Sequence, residues 1–126
     1  MTQLTNYAGT TRISQVIMNY DSLGNLLSET QQIGSQPVQS VVSAYNELSF
    51  RTSLTYPNSR QINYTPDALN RVDLIKEGST VIADYDYIGP ARVESRKYQP
   101  STANPMTLSV GYDDNRRLTS YNYTGA

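Results

Sequence analysis

The chain has 126 residues, enough for a single domain. Ten basic side chains face eleven acidic ones, a net charge of −1, which excludes the basic footprint of a nucleic-acid binder or a membrane-surface protein. With no Cys and no His, the chain has no disulfide framework, no thiolate nucleophile, no sulfur-ligated metal and none of the commonest general base.

Apolar residues make up a lean 37%, yet eleven Tyr and many Val, Ile and Thr set the chain apart from a disordered composition. The N-terminal stretch Met1–Gly9 has no basic n-region and no apolar h-region, so no signal peptide is expected in this chain. Nor is any apolar run long enough to span a bilayer. Tyr7-Ala8-Gly9-Thr10-Thr11-Arg12-Ile13 is a first, partial copy of a motif that recurs down the chain.

The clearest copy is Tyr20-Asp21-Ser22-Leu23-Gly24-Asn25-Leu26. Asp21 suits an Asx-type turn, and Gly24 suits the left-handed residue that closes a type I turn with a bulge. Degraded copies start at Tyr45, Pro66 and Tyr87, and a good one at Tyr112. The anchors at 20, 45, 66, 87 and 112 stand 25, 21, 21 and 25 residues apart. That spacing suits two strands and two turns. At the position of Gly24 the other copies carry Ser49, Asn70, Ala91 and Arg116, of which only Asn tolerates positive φ readily. Looser or shifted turns are expected there.

Between the anchors lie turn-rich stretches at 32–37, 57–59, 77–79 and 100–105, all rich in Gly, Pro, Asn and Ser. Strands are therefore expected at 12–20, 25–32, 38–46, 50–56, 60–65, 70–76, 81–87, 92–99, 106–113 and 117–123. Alternation supports those entering the anchors: Val16 and Met18 share the phase of Tyr20, and Leu108 and Val110 that of Tyr112. In the returning strands Leu26, Val72, Val93 and Leu118 begin well, but Ser28, Ser53, Ser95 and Ser120 follow in phase, a weaker pattern. The segment 67–77 also fits a short helix with Asp67 as cap and Gly78 as stop; the repeat register favours a strand. The expected fold is all-β, a curved antiparallel meander of about ten strands forming a strip or partial shell with exposed edge strands.

Candidate chemistry is sparse. Asp84/Asp86 and Asp113/Asp114 are the nearest approach to paired carboxylates, and turn-capping or solvated roles fit them better than catalysis or calcium binding. No serine sits in a nucleophile elbow, and no glycine-rich phosphate loop occurs. Arg92, Arg96, Lys97 and the pair Arg116-Arg117 read as solvated strand positions. No catalytic, cofactor-binding or metal-binding residue is expected, and no cofactor. A tyrosine-lined face including Tyr64, Tyr85 and Tyr87 is the candidate ligand surface, with the packing of the sheet as its commoner use. Each anchor ring is expected to stack on the ring of the next hairpin, with a returning-strand Arg across it.

The anchors resemble the YD repeat of the Rhs family, Tyr-Asp-x-x-Gly-Arg-Leu. The residues that carry the resemblance are Tyr20, Asp21 and Gly24; Tyr45 and Arg51; Asp67 and Arg71; Tyr87 and Arg92; and Tyr112, Asp113 and Arg117. It covers nearly the whole chain as one repeat module, residues 1–126. The resemblance implies β-hairpin strips wound into a hollow shell. Bacterial members enclose a toxin, and animal teneurins carry a similar barrel at the cell surface. It also implies an extracellular or cell-surface location and an association with carbohydrate. The Asp-Pro-x-Gly-Leu motif that ends bacterial cores is missing, so self-cleavage is not carried over. The chain is too short to close a shell of the family type. The expectation is a non-enzymatic structural module that pairs through its edge strands with copies of itself, as a ring or filament, or with adjoining repeats.

Overall fold

The computed structural model describes residues 1–100 and 102–125; Ser101, inside the expected turn at 100–105, lies outside the described residues. Among the described residues, eleven antiparallel strands follow one another in a single sheet, its order the order of the chain. They are β1 Thr2–Ala8, β2 Thr11–Tyr20, β3 Leu26–Ile33, β4 Gln39–Tyr45, β5 Arg51–Thr55 and β6 Gln61–Pro66. Then come β7 Val72–Glu77, β8 Thr80–Ile88, β9 Arg92–Tyr98, β10 Met106–Tyr112 and β11 Leu118–Thr124. All ten expected strands are present, and the ambiguous segment is strand β7. The added strand is β1, which lacks the apolar alternation that would mark it. No helix among the described residues is long and apolar enough to cross a membrane.

One irregularity recurs at every anchor. Tyr20 pairs with Leu26 while Asn19 pairs with Ser28, so Leu27 is an extra residue opposite the anchor. The same slip leaves Ile13 extra opposite Tyr7, Thr52 opposite Tyr45, Asp73 opposite Pro66, Glu94 opposite Tyr87 and Thr119 opposite Tyr112. A bulge of this kind shifts the side-chain phase by one residue. It accounts for the weak pattern of the returning strands: Leu26 lies on the face of Tyr20, and Ser28 lies on the other.

The chain divides into two compact units, Met1–Gln61 and Ile62–Ala126. In the first, the register puts Val16, Met18, Tyr20, Leu26, Tyr45 and Leu54 on one face. Asn19, Ser28, Thr30, Ser40 and Ser53 take the other, where Asn19 Nδ2 donates to Ser28 Oγ at 2.9 Å. Tyr7 pairs with Arg12 beyond its bulge and falls on this polar face, opposite to Tyr20. In the second unit one face collects Ile75, Ala83, Tyr85, Tyr87, Leu108 and Tyr112, and the other Asp84, Asp86, Ser95, Lys97 and Ser109. The buried apolar side chains, Ile62, Ala83 and Leu108, all belong to the tyrosine face of the second unit.

Candidate functional site: hairpin joints and the tyrosine face

The motif residues meet at the joints between successive hairpins, and each has a separate task. The acid or amide after the anchor holds the turn. Asp21 N–H donates to the Asn25 carbonyl at 3.0 Å, Gly24 N–H donates to the Asp21 carbonyl at 3.3 Å, and Asp21 Oδ1 accepts from the amides of Leu23 and Asn25 at 2.9 and 2.8 Å. Asn46 and Asp67 repeat this arrangement with Oδ1 contacts of 2.8 to 3.0 Å. Asp113 accepts from the Arg117 amide at 2.8 Å.

The fourth turn residue is left-handed in each: Gly24 at φ 84°, Ser49 at 59°, Asn70 at 61° and Arg116 at 66°. The turns at Ser49 and Arg116 are therefore not looser, contrary to expectation. The capping side chain and the closing backbone pair hold a conformation that a residue with a Cβ ordinarily avoids. The copies at Tyr7 and Tyr87 depart: Gly9 takes φ 62° with Ala8 paired directly to Thr11, and Gly89 takes φ 64° with Ile88 paired directly to Arg92. The turn at Tyr56–Arg60 uses the same backbone, with Ser59 at φ 65° and Tyr56 N–H donating to the Arg60 carbonyl at 2.9 Å. Its sequence carries no anchor signal.

The residue after the left-handed position ties its turn to the next hairpin. Arg71 Nε donates to Asp67 Oδ2 and its Nη1 to the Gly89 carbonyl, both at 2.7 Å, while its guanidinium lies 4.0 Å from the centroid of the Tyr87 ring. Asn25 does the same work in the first unit, with Nδ2 donating to Asp21 Oδ2 at 2.8 Å and to Ser49 Oγ at 3.1 Å. Arg117 pairs with Asp113 at 2.7 Å. Arg92 lies 5.1 Å from the Tyr112 ring. At these two joints a guanidinium of one hairpin covers the anchor ring of the next, as the sequence suggested, whereas the ring pairs Tyr85–Tyr87 and Tyr121–Tyr123 lie within single strands.

The anchor hydroxyl completes the joint. Pairing between β3 and β4 begins at Ser28, so Leu26 lies past the end of that ladder, and its carbonyl accepts the Tyr45 hydroxyl at 3.1 Å. Past the ladder of β7 and β8, the Val72 carbonyl accepts Tyr87 at 2.7 Å. The Val93 carbonyl likewise accepts Tyr112 at 3.0 Å. The bulge and the tyrosine are thus one device: where the ladder stops, a side chain satisfies the backbone. Tyr87 is pushed up in pKa by burial. Asp21 and Asp67 are held below the usual carboxylate range, chiefly by the side chains of Asn25 and Arg71, and Asp113 chiefly by the Arg117 amide.

The candidate ligand face is largely occupied by the protein itself. Tyr85 and Tyr87 stack at 6.4 Å with planes 17° apart, and Arg96 lies 5.6 Å from the Tyr85 ring and 4.7 Å from that of Tyr98. Tyr64 lies on the same face, its position opposite Ile75. The basic cluster is divided: Arg96 belongs to the tyrosine face, whereas Lys97 lies on the polar face, 3.4 Å from Asp86. Asp86 also accepts the Ser95 hydroxyl at 2.7 Å, which leads the causes that lower its pKa and makes it a weak base for drawing a proton from that serine. Among the described residues no group of three acidic side chains is placed to hold a metal ion. No protein-family model and no curated protein matches this chain.

Proposed function

We propose that the chain is a non-enzymatic structural module of the YD/Rhs-repeat type, forming part of a β-sheet shell or joining edge to edge with further copies into a ring or filament. The observation that carries this reading is the repeated joint. The motif's Asp is spent on its own turn, and its Tyr and Arg or Asn on holding one hairpin to the next, as in repeat architectures where each unit contacts its neighbours. The partners are strands of adjoining repeats or of second copies, at an extracellular or cell-surface location suggested by the resemblance. The terminal strands favour such joining. Thr2–Ala8 and Leu118–Thr124 contain no charged residue and no Pro, the devices that commonly blunt an edge. Light scattering with negative-stain imaging tests it: particles heavier than 14.1 kDa that grow with concentration are expected, and a strict monomer at high concentration contradicts it. A carbohydrate face at Tyr64, Tyr85 and Tyr87 is the weaker reading, because Arg96 and Arg71 already lie over two of those rings. Glycan-array binding abolished by Tyr85→Ala would reverse that ranking.

A further inference from the structure

The strand at the C-terminal edge is complementary to itself. All seven residues of β11 are exposed, and β11 pairs with β10 alone among the described strands. Tyr121 and Tyr123 lie on one face, each 52% exposed, with ring centroids 5.5 Å apart at 75°. The other face carries Ser120, Asn122 and Thr124.

The geometry points to a two-fold joint in which β11 pairs antiparallel with β11 of a second copy, Asn122 opposite the second copy's Asn122. In that register Tyr121 stands opposite the second copy's Tyr123, and Tyr123 opposite its Tyr121. Two aromatic cross-strand pairs then lie on the face where the intrachain pair already sits, extending it to four rings. On the polar face Ser120 meets Thr124 and Asn meets Asn. Aromatic pairs and hydroxyl pairs are the favourable cross-strand combinations, and no like charges are opposed anywhere along the strand. Centring on Tyr121 would keep one aromatic pair and set Tyr123 against Thr119. The N-terminal edge offers less: β1 carries a single aromatic, Tyr7, and that residue sits at a bulge. Pairing β1 with β11 of another copy would leave at least one of Tyr121 and Tyr123 without an aromatic partner. The joint is seven residues long, so the association it supports is concentration-dependent.

This inference rests on the edge-association reading and names which edge and which symmetry: a two-fold joint at one edge closes on itself, so it gives a dimer and not a ring or filament. The chain has no Cys, so single cysteines report the joint cleanly. Under mild oxidation Asn122→Cys is expected to form a covalent dimer, and Thr5→Cys is expected not to. A disulfide between Asn122→Cys and Thr5→Cys chains in a mixture, without an Asn122→Cys homodimer, would overturn the two-fold joint while leaving edge association standing. A chain that stays monomeric at every concentration would overturn both. A charge swap supplies a second readout that does not depend on oxidation. Asn122→Lys and Asn122→Asp should each associate at least tenfold more weakly than the natural chain. Mixing them should restore association, because only a self-paired position sets one against the other. Unchanged association of Asn122→Lys alone would contradict the register.

Discussion

At the scale of single residues, the motif divides its labour so that each position makes its own prediction. The Tyr112 hydroxyl donates to the Val93 carbonyl, so Tyr112→Phe should destabilise the chain by about 1 kcal/mol in denaturant unfolding while leaving the ring under Arg92 in place. Arg116 sits at φ 66° with a Cβ, so Arg116→Gly should raise stability by about 1 kcal/mol, and Gly24→Ala should lower it by a similar amount. The capping carboxylates give the chain an acid limb. Asp21, Asp67 and Asp113 titrate lower folded than unfolded, so their contribution is complete above about pH 4 and is lost as pH falls through their depressed values. Thermal unfolding should therefore show a falling midpoint below that pH, and Asp67→Asn should flatten part of the fall. Asn46 already fills the same capping position with a side chain that does not titrate. The capping role of Asp21 was legible in the sequence, since Asp and Gly at that spacing specify the turn. The left-handed Ser49 and Arg116 were not. Intrinsic preference opposed them, and the closing hydrogen bonds that override it are set by the fold.

At the scale of elements, the sheet was legible where a strand enters an anchor and obscure where it returns. Entering strands alternate on the approach to the anchor, as Leu108, Val110 and Tyr112 do, although β8 carries an extra residue of its own at Ile82. Returning strands carry a bulge one residue after they begin, so a strict period of two misreads Ser28, Ser95 and Ser120 as sharing the face of Leu26, Val93 and Leu118. The segment with helical spacing at 67–77 is a hairpin turn followed by β7, because Asp67 caps that turn rather than a helix. β1 was missed because its Thr, Gln and Asn give no apolar rhythm. The face assignment has a direct check. Leu108, 3% exposed on the tyrosine face, should cost about 2–5 kcal/mol when replaced by Ala. Its neighbour Ser109 points to the polar face and should change stability by no more than about 0.5 kcal/mol under the same substitution. Equal effects of the two substitutions in denaturant unfolding would contradict the register of β10.

At the scale of the whole molecule, little of the chain is hidden from water. Among the described residues only Ile62, Ala83 and Leu108 are buried apolar side chains, and the first unit contributes none of them. Apolar burial in such a chain is spread over half-buried side chains, and the strand ladders and the joints between hairpins add to it. The two terminal strands are the places where that pattern stops, and both are uncharged. The motif that first looks like a good turn at Tyr20–Leu26 is a connector between hairpins, and on our proposal an edge strand extends that pairing to another strand or copy. Amide hydrogen exchange of the purified chain, followed from dilute to concentrated solution, reads this most directly. The account predicts that protection rises with concentration in an edge strand, most of all at Ser120–Thr124, while the inner strands keep the protection they had. Edge amides that exchange freely at every concentration, in a particle that stays monomeric, would contradict it.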